Sequence, residues 1–72
     1  MDIFYTNETL FVNINDELTQ NSVNIMQKRI FRIIEDYDID NIVLKNHGSS
    51  NNLLSPFVND YKKKHNGNLQ IM

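Results

Sequence analysis

The sequence predicts a small α/β domain with element order ββαβαβ: a mixed four-stranded sheet with helices mainly on one face. Three observations carry that expectation. Leu10, Val12 and Ile14 alternate with Phe11, Asn13 and Asn15, which is strand periodicity with one apolar face. From Val23 the apolar positions Met26, Ile30, Ile33, Ile34 and Tyr37 recur every three or four residues, which makes a helical stripe. Ile42-Val43-Leu44 is then a continuous apolar run, suited to a strand that sits centrally or is covered on both faces.

Asp2 to Thr6 is rich in β-formers, and Asn7-Glu8 separates it from the strand over Thr9 to Asn15, so the chain opens on an antiparallel hairpin. Asn15 to Asn21 is polar, with Asn21 or Ser22 available to cap the helix that follows. Lys28, Arg29, Arg32 and Glu35 fall on the side away from the stripe, while Ile25 and Phe31 lie off it. Either the buried face is wide or these two residues mark a further contact. A small domain must bury most of its large side chains, which favours the wide face. The helix should end near Asp36, with Tyr37 to Asp40 as the turn into the third strand. A helix joining two parallel strands requires a crossover.

Ser55-Pro56 fits an N-cap followed by proline at the first helical position; alternatively a second helix starts near Ser50. Its stripe is Leu53, Leu54, Phe57, Val58 and Tyr61. Lys62-Lys63-Lys64-His65 places cations where the helix dipole favours them, and Gly67 suits a left-handed residue past the helix end. Asn68 to Met72 forms a last short strand with Leu69 and Ile71 on one face.

Composition bounds the function. The 72 residues are expected to form a single domain over 1–72, near the lower limit for a self-sufficient core. The formal net charge of −2 supplies no electrostatic attraction to nucleic acid or an anionic membrane. Without cysteine there is no disulfide framework or thiolate metal site. The opening residues lack a basic n-region and a long apolar run, and no stretch reaches bilayer length, so a cytoplasmic location is expected.

The chemistry-bearing candidates gather after the third strand. His47-Gly48-Ser49-Ser50-Asn51-Asn52 is the most loop-like segment, at the strand-to-helix edge where open α/β sheets collect ligands. His47 beside the serines raises the idea of a base and a nucleophile, but no third residue completes a triad, and no catalytic residue is assigned. Asp36, Asp38 and Asp40 alternate as at the opening of a calcium loop, without its glycine and closing glutamate, and read as solvated turn carboxylates. Neither a metal nor a cofactor is expected, and enzyme activity is not.

The words of the sequence also resemble the STAS domain of bacterial anti-sigma factor antagonists. Thr9 to Leu18 resembles that family's second strand and its Gly-Glu-Leu turn, with Asp16 where glycine is usual. Ser22 matches the Ser or Thr that opens its first helix, Asp38 to Leu44 its entry into the third strand, and Lys62 to Leu69 its basic helix end and glycine turn. The family's Asp-Ser-Ser/Ala-Gly segment falls on Gly48-Ser49-Ser50-Asn51, with Gly48 in place of Asp and Asn51 in place of Gly. Family members usually continue past the fourth strand, so the resemblance implies a truncated or divergent member. It implies a non-enzymatic regulatory module that binds a protein partner such as an anti-sigma-like kinase. It makes Ser49, or Ser50 beside it, the phosphorylation candidate, and His47, Gly48, Ser49, Ser50, Asn51 and Asn52 the partner-binding loop. Read from the residues alone, the same segment is a loop and cap. A self-associating structural domain, a homodimer through the bare sheet face or the open edge of the short last strand (Asn68 to Met72), is the competing expectation.

Overall fold

The structure, a computed structural model, describes residues 1–47 and 51–72. Its elements are β1 (Asp2–Thr6), β2 (Thr9–Ile14), α1 (Gln20–Tyr37), β3 (Asn41–Asn46), a 3-10 turn (Asn51–Leu54), α2 (Ser55–Lys64) and β4 (Asn68–Ile71). The order is ββαβαβ, as the periodicities require. The sheet runs β1-β2-β3-β4, with β1 antiparallel to β2 and the other two pairings parallel.

The hairpin turns on Asn7 and Glu8, both with positive φ (51° and 61°). Two left-handed residues in a two-residue loop match the twist of the flanking strands, which is why so short a connection closes here. Beyond it the alternation in β2 sorts the side chains: Leu10, Val12 and Ile14 are buried.

Helix α1 starts earlier than the apolar stripe does. Thr19, not Asn21 or Ser22, is the N-cap: its Oγ1 accepts from the Ser22 backbone N–H at 3.1 Å. The Ser22 Oγ in turn accepts from the Thr19 N–H at 2.9 Å, which closes a reciprocal capping box with serine at its third position. The far end also runs past Asp36, through Tyr37, and stops at Asp38, which turns left-handed (φ 53°) and donates its N–H to the Ile34 carbonyl. Tyr37, expected on the buried stripe, is instead 75% exposed. The two off-stripe residues part company: Phe31 is buried and packs on Phe57 of α2 with ring centres 5.4 Å apart, whereas Ile25 is exposed. The buried face of α1 is widened only on the side where α2 lies.

Neither expected start of α2 is quite what forms. The 3-10 turn over Asn51–Leu54 runs straight into the α-helix, and Leu54 at the junction is itself helical (φ −84°, ψ −14°). Ser55 is therefore inside the helix and not its cap. Pro56 is accommodated because the first helical turn has no internal use for its missing N–H.

Both helices lie on one face of the sheet. Val23, Met26, Ile30, Phe31 and Ile34 of α1 and Phe57 and Tyr61 of α2 share one core with Leu10, Val12, Ile14, Ile42 and Leu44. The Gln27 side-chain amide donates to Asp60 Oδ2 at 2.9 Å across the two helices. Gly67 is not left-handed, contrary to the expectation of a glycine cap, because His65 ends α2 in extended conformation. What requires glycine is proximity: a β carbon at Gly67 would stand 2.3 Å from both the Asp40 carbonyl oxygen and the Tyr61 hydroxyl. Among the described residues, no helix is long and apolar enough to cross a membrane.

Candidate functional site

The expected loop begins where the sequence puts it. His47 follows the last residue of β3, and its backbone N–H donates to the Ile14 carbonyl at 2.8 Å, so it continues the parallel ladder by one bond. Its side chain is exposed. Gly48, Ser49 and Ser50 lie outside the described residues. Asn51 and Asn52 resume the chain as the 3-10 turn. The strand order increases in one direction and both helices cover one face, so this edge has no point where the order reverses and a crevice opens.

The Asp36 to Asp40 turn is likewise open. Asp36 meets Arg32 at 3.8 Å one helical turn back, both well exposed, and Asp38 is the left-handed cap. Among the described residues no three His, Asp or Glu side chains gather as metal ligands. His65 does more than complement the helix dipole: its ring stacks on Tyr61 at 5.3 Å and meets the Phe31 ring edge-on at 5.4 Å. Of the three terminal lysines, Lys64 reaches back over the Phe31 ring, 5.7 Å from its centre.

The unusual surface lies on the side of the sheet that, among the described residues, no helix covers. The strand registers set its side chains in three rows. Thr6, Thr9, Asn41 and Asn68 make a polar row, in which the Asn68 amide donates to Asn41 Oδ1 at 3.1 Å. Phe4, Phe11, Val43 and Gln70 make the middle row. Asp2, Asn13 and Lys45 make the third. In the middle row Phe4 and Phe11 stack with ring centres 5.1 Å apart and planes within 14°. Lys45 lies with its amine 5.6 Å from the centre of the Phe11 ring. Val43, at the centre of that row, is only 9% exposed. Phe4, at the sheet margin, stays 46% exposed. The Asn13 Oδ1 is buried and has no hydrogen-bond partner among the described residues.

Around the other side of the same margin, Ile3, Tyr5, Leu10, Ile33, Tyr37 and Ile39 line an apolar groove of about 510 Å³. Edge strand β1 therefore has exposed aromatic surface on both of its faces. The sequence marked an uncovered sheet face but not these residues. The alternation in β1 and β2 that places Leu10 and Val12 inside also places Phe4 and Phe11 outside, and that was the available signal.

A second feature is internal. Tyr61 is buried, its hydroxyl has no hydrogen-bond partner among the described residues, and burial, helped by the charge of Asp40, raises its pKa above the ordinary value.

Comparisons of the chain with protein-family models, curated proteins and solved structures find no match.

Proposed function

We propose that this chain is a small non-enzymatic protein–protein interaction module of regulatory type. Its contact surface is the uncovered sheet face and the aromatic margin at β1. The observation that supports this most is the middle row of that face. A stacked Phe4–Phe11 pair, with Phe4 nearly half exposed, stands on a sheet whose opposite face already holds the core. Exposed aromatic surface bounded by polar rows has the composition of a contact patch, with an apolar centre and a hydrophilic rim.

The STAS resemblance adds the finer part of the proposal. The partner would be an anti-sigma-like kinase in a bacterial cytoplasm, with phosphorylation at Ser49 or Ser50 as the switch. Support for that part is the ββαβαβ order and the place of the two serines in the chain, between the end of β3 and the helical turn at Asn51. A phosphate added there would bring negative charge to the start of a helical segment.

The test is capture of a partner by the immobilised chain, repeated with Phe11→Ser and, as an exposed control on α1, Ile25→Ser. Loss of the partner with Phe11→Ser but not with Ile25→Ser, both variants remaining folded by circular dichroism, is the expected result. Equal capture by all three chains would remove the sheet face from the proposal. Phosphate on neither Ser49 nor Ser50 after incubation with a captured kinase would remove the switch.

A further inference from the structure

We propose that a second copy of this chain docks at edge strand β1, in antiparallel register about a two-fold axis through Phe4. The inference rests on reading the chain as an interaction module and assigns its β1 edge a partner of its own, beside the kinase proposed above.

The ladder of the sheet decides which backbone groups of β1 are free. The Ile14 carbonyl accepts from the His47 N–H, so Ile14 directs its backbone groups toward β3. By alternation Leu10 and Val12 do the same, and Phe11 and Asn13 turn toward β1. Their register partners Phe4 and Asp2 therefore bond inward, and Ile3 and Tyr5 direct their N–H and C=O groups out of the sheet. An antiparallel neighbour must present outward groups at the same spacing. A second β1 does so: with Phe4 opposite Phe4, each Ile3 faces a Tyr5, and two rings of paired hydrogen bonds close.

The side chains agree with that register on both faces. On the uncovered face the two Phe4 rings meet at the axis and continue the stack that each already makes with Phe11. On the helical face Tyr5 of each copy lies beside Ile3 of the other, over the apolar groove whose rim is Tyr37. Phe4, Tyr5 and Tyr37 are 46%, 55% and 75% exposed, and all three lie at this margin. The only charge on the strand, Asp2, falls opposite Thr6, so no like charges oppose each other. Within β1 there is no lysine, proline or bulge, the usual devices that keep an edge from pairing. The opposite edge, β4, directs outward the groups of Leu69 and Ile71, but it centres on Gln70 and has no aromatic residue.

An edge-to-edge contact buries little area, so the dimer is weak, with a dissociation constant in the range of about 10 µM to 1 mM. Sedimentation of the full chain across that range should show a reversible monomer–dimer equilibrium. Tyr5→Pro removes an outward N–H that makes no bond within the sheet, and Phe4→Lys sets two cations face to face. Each should weaken the dimer by more than about tenfold while circular dichroism stays unchanged. Because the chain has no cysteine, Phe4→Cys offers a clean second readout. Mild oxidation should give a disulfide-linked dimer, and Gln70→Cys, at the centre of the other edge, should not.

A monomer at 1 mM would overturn the inference, as would a dimer indifferent to both β1 variants or cross-linking through Gln70→Cys in place of Phe4→Cys. A strict monomer that still captures another protein through Phe11 would overturn the second copy alone. A monomer that captures nothing would remove the interaction reading with it.

Discussion

Gly67 and the Tyr61 hydroxyl approach so closely that a β carbon at position 67 would sit 2.3 Å from the phenolic oxygen. That oxygen is buried and has no hydrogen-bond partner among the described residues, and the same β carbon would also run into the Asp40 carbonyl. The neighbouring backbone is tied down, since the Asn68 N–H donates to the same carbonyl at 2.7 Å. A methyl group has nowhere to go.

Gly67→Ala should therefore destabilise the domain by about 1–3 kcal/mol, the usual range for overpacking. Tyr61→Phe should change stability by no more than about 1 kcal/mol, because it removes a polar group that gains no hydrogen bond in the fold. In the double variant the loss should be smaller than the sum of the two, since the alanine methyl then meets one obstacle fewer. Urea denaturation of the four chains measures the coupling. Strict additivity would mean that the phenolic oxygen is not what makes position 67 tight.

The same tyrosine predicts a pH dependence. Its ordinary pKa is 10.0, and the fold raises it, through burial first and the charge of Asp40 second. Above that ordinary value the unfolded chain gives up the proton while the folded chain keeps it. The Tyr61 contribution is complete below pH 10 and is lost as pH rises toward the folded value. Denaturation midpoints at neutral pH and at about pH 11 should show a smaller alkaline loss in Tyr61→Phe than in the parent chain. An equal loss in both would rule out Tyr61 as its source.

At the start of α1, Thr19→Ala should cost about 1 kcal/mol, because the Ser22 N–H loses its acceptor at an end with no acidic residue in its first turn. Ser22→Ala should cost a similar amount by freeing the Thr19 N–H. Chemical denaturation gives both values, and a change below a few tenths of a kcal/mol in either would mean that water replaces the box without loss.

The hairpin offers a gain. Glu8 holds φ 61°, a conformation that costs a side-chain-bearing residue energy and glycine almost none. Glu8→Gly turns the loop into Asn-Gly and should stabilise the domain by about 0.5–1 kcal/mol, read as a rise in melting temperature. A fall would show that the Glu8 side chain holds the turn by some contact of its own.

Much of the fold was legible because most of its elements declare themselves locally. The alternation from Leu10 to Ile14, the stripe from Met26 to Ile34 and the run Ile42-Val43-Leu44 each state a period, and periods are what strands and helices impose on apolar residues. Boundaries were less legible. Thr19 caps α1 through a serine where the familiar box has Glu or Gln, so that start lacked its usual mark. The fate of Phe31 depended on Phe57, twenty-six positions away along the chain, and the need for glycine at 67 on Tyr61 and Asp40. No local pattern encodes such distant pairings. For the candidate site, the sequence led to the loop after β3, of which only His47, Asn51 and Asn52 lie within the described residues. The Phe4–Phe11 row went unread because a strand face that points away from the core looks, in one sequence, like filler between core positions.

The claim that β1 is the contact edge is most directly tested by amide hydrogen exchange of the full chain, followed by NMR from about 10 µM to about 1 mM. Ile3 and Tyr5, whose N–H groups point out of the sheet, should become more protected as concentration rises, while Leu69 and Ile71 on the opposite edge stay unchanged. Protection that grows at Leu69 and Ile71 instead, or at neither edge, would contradict it.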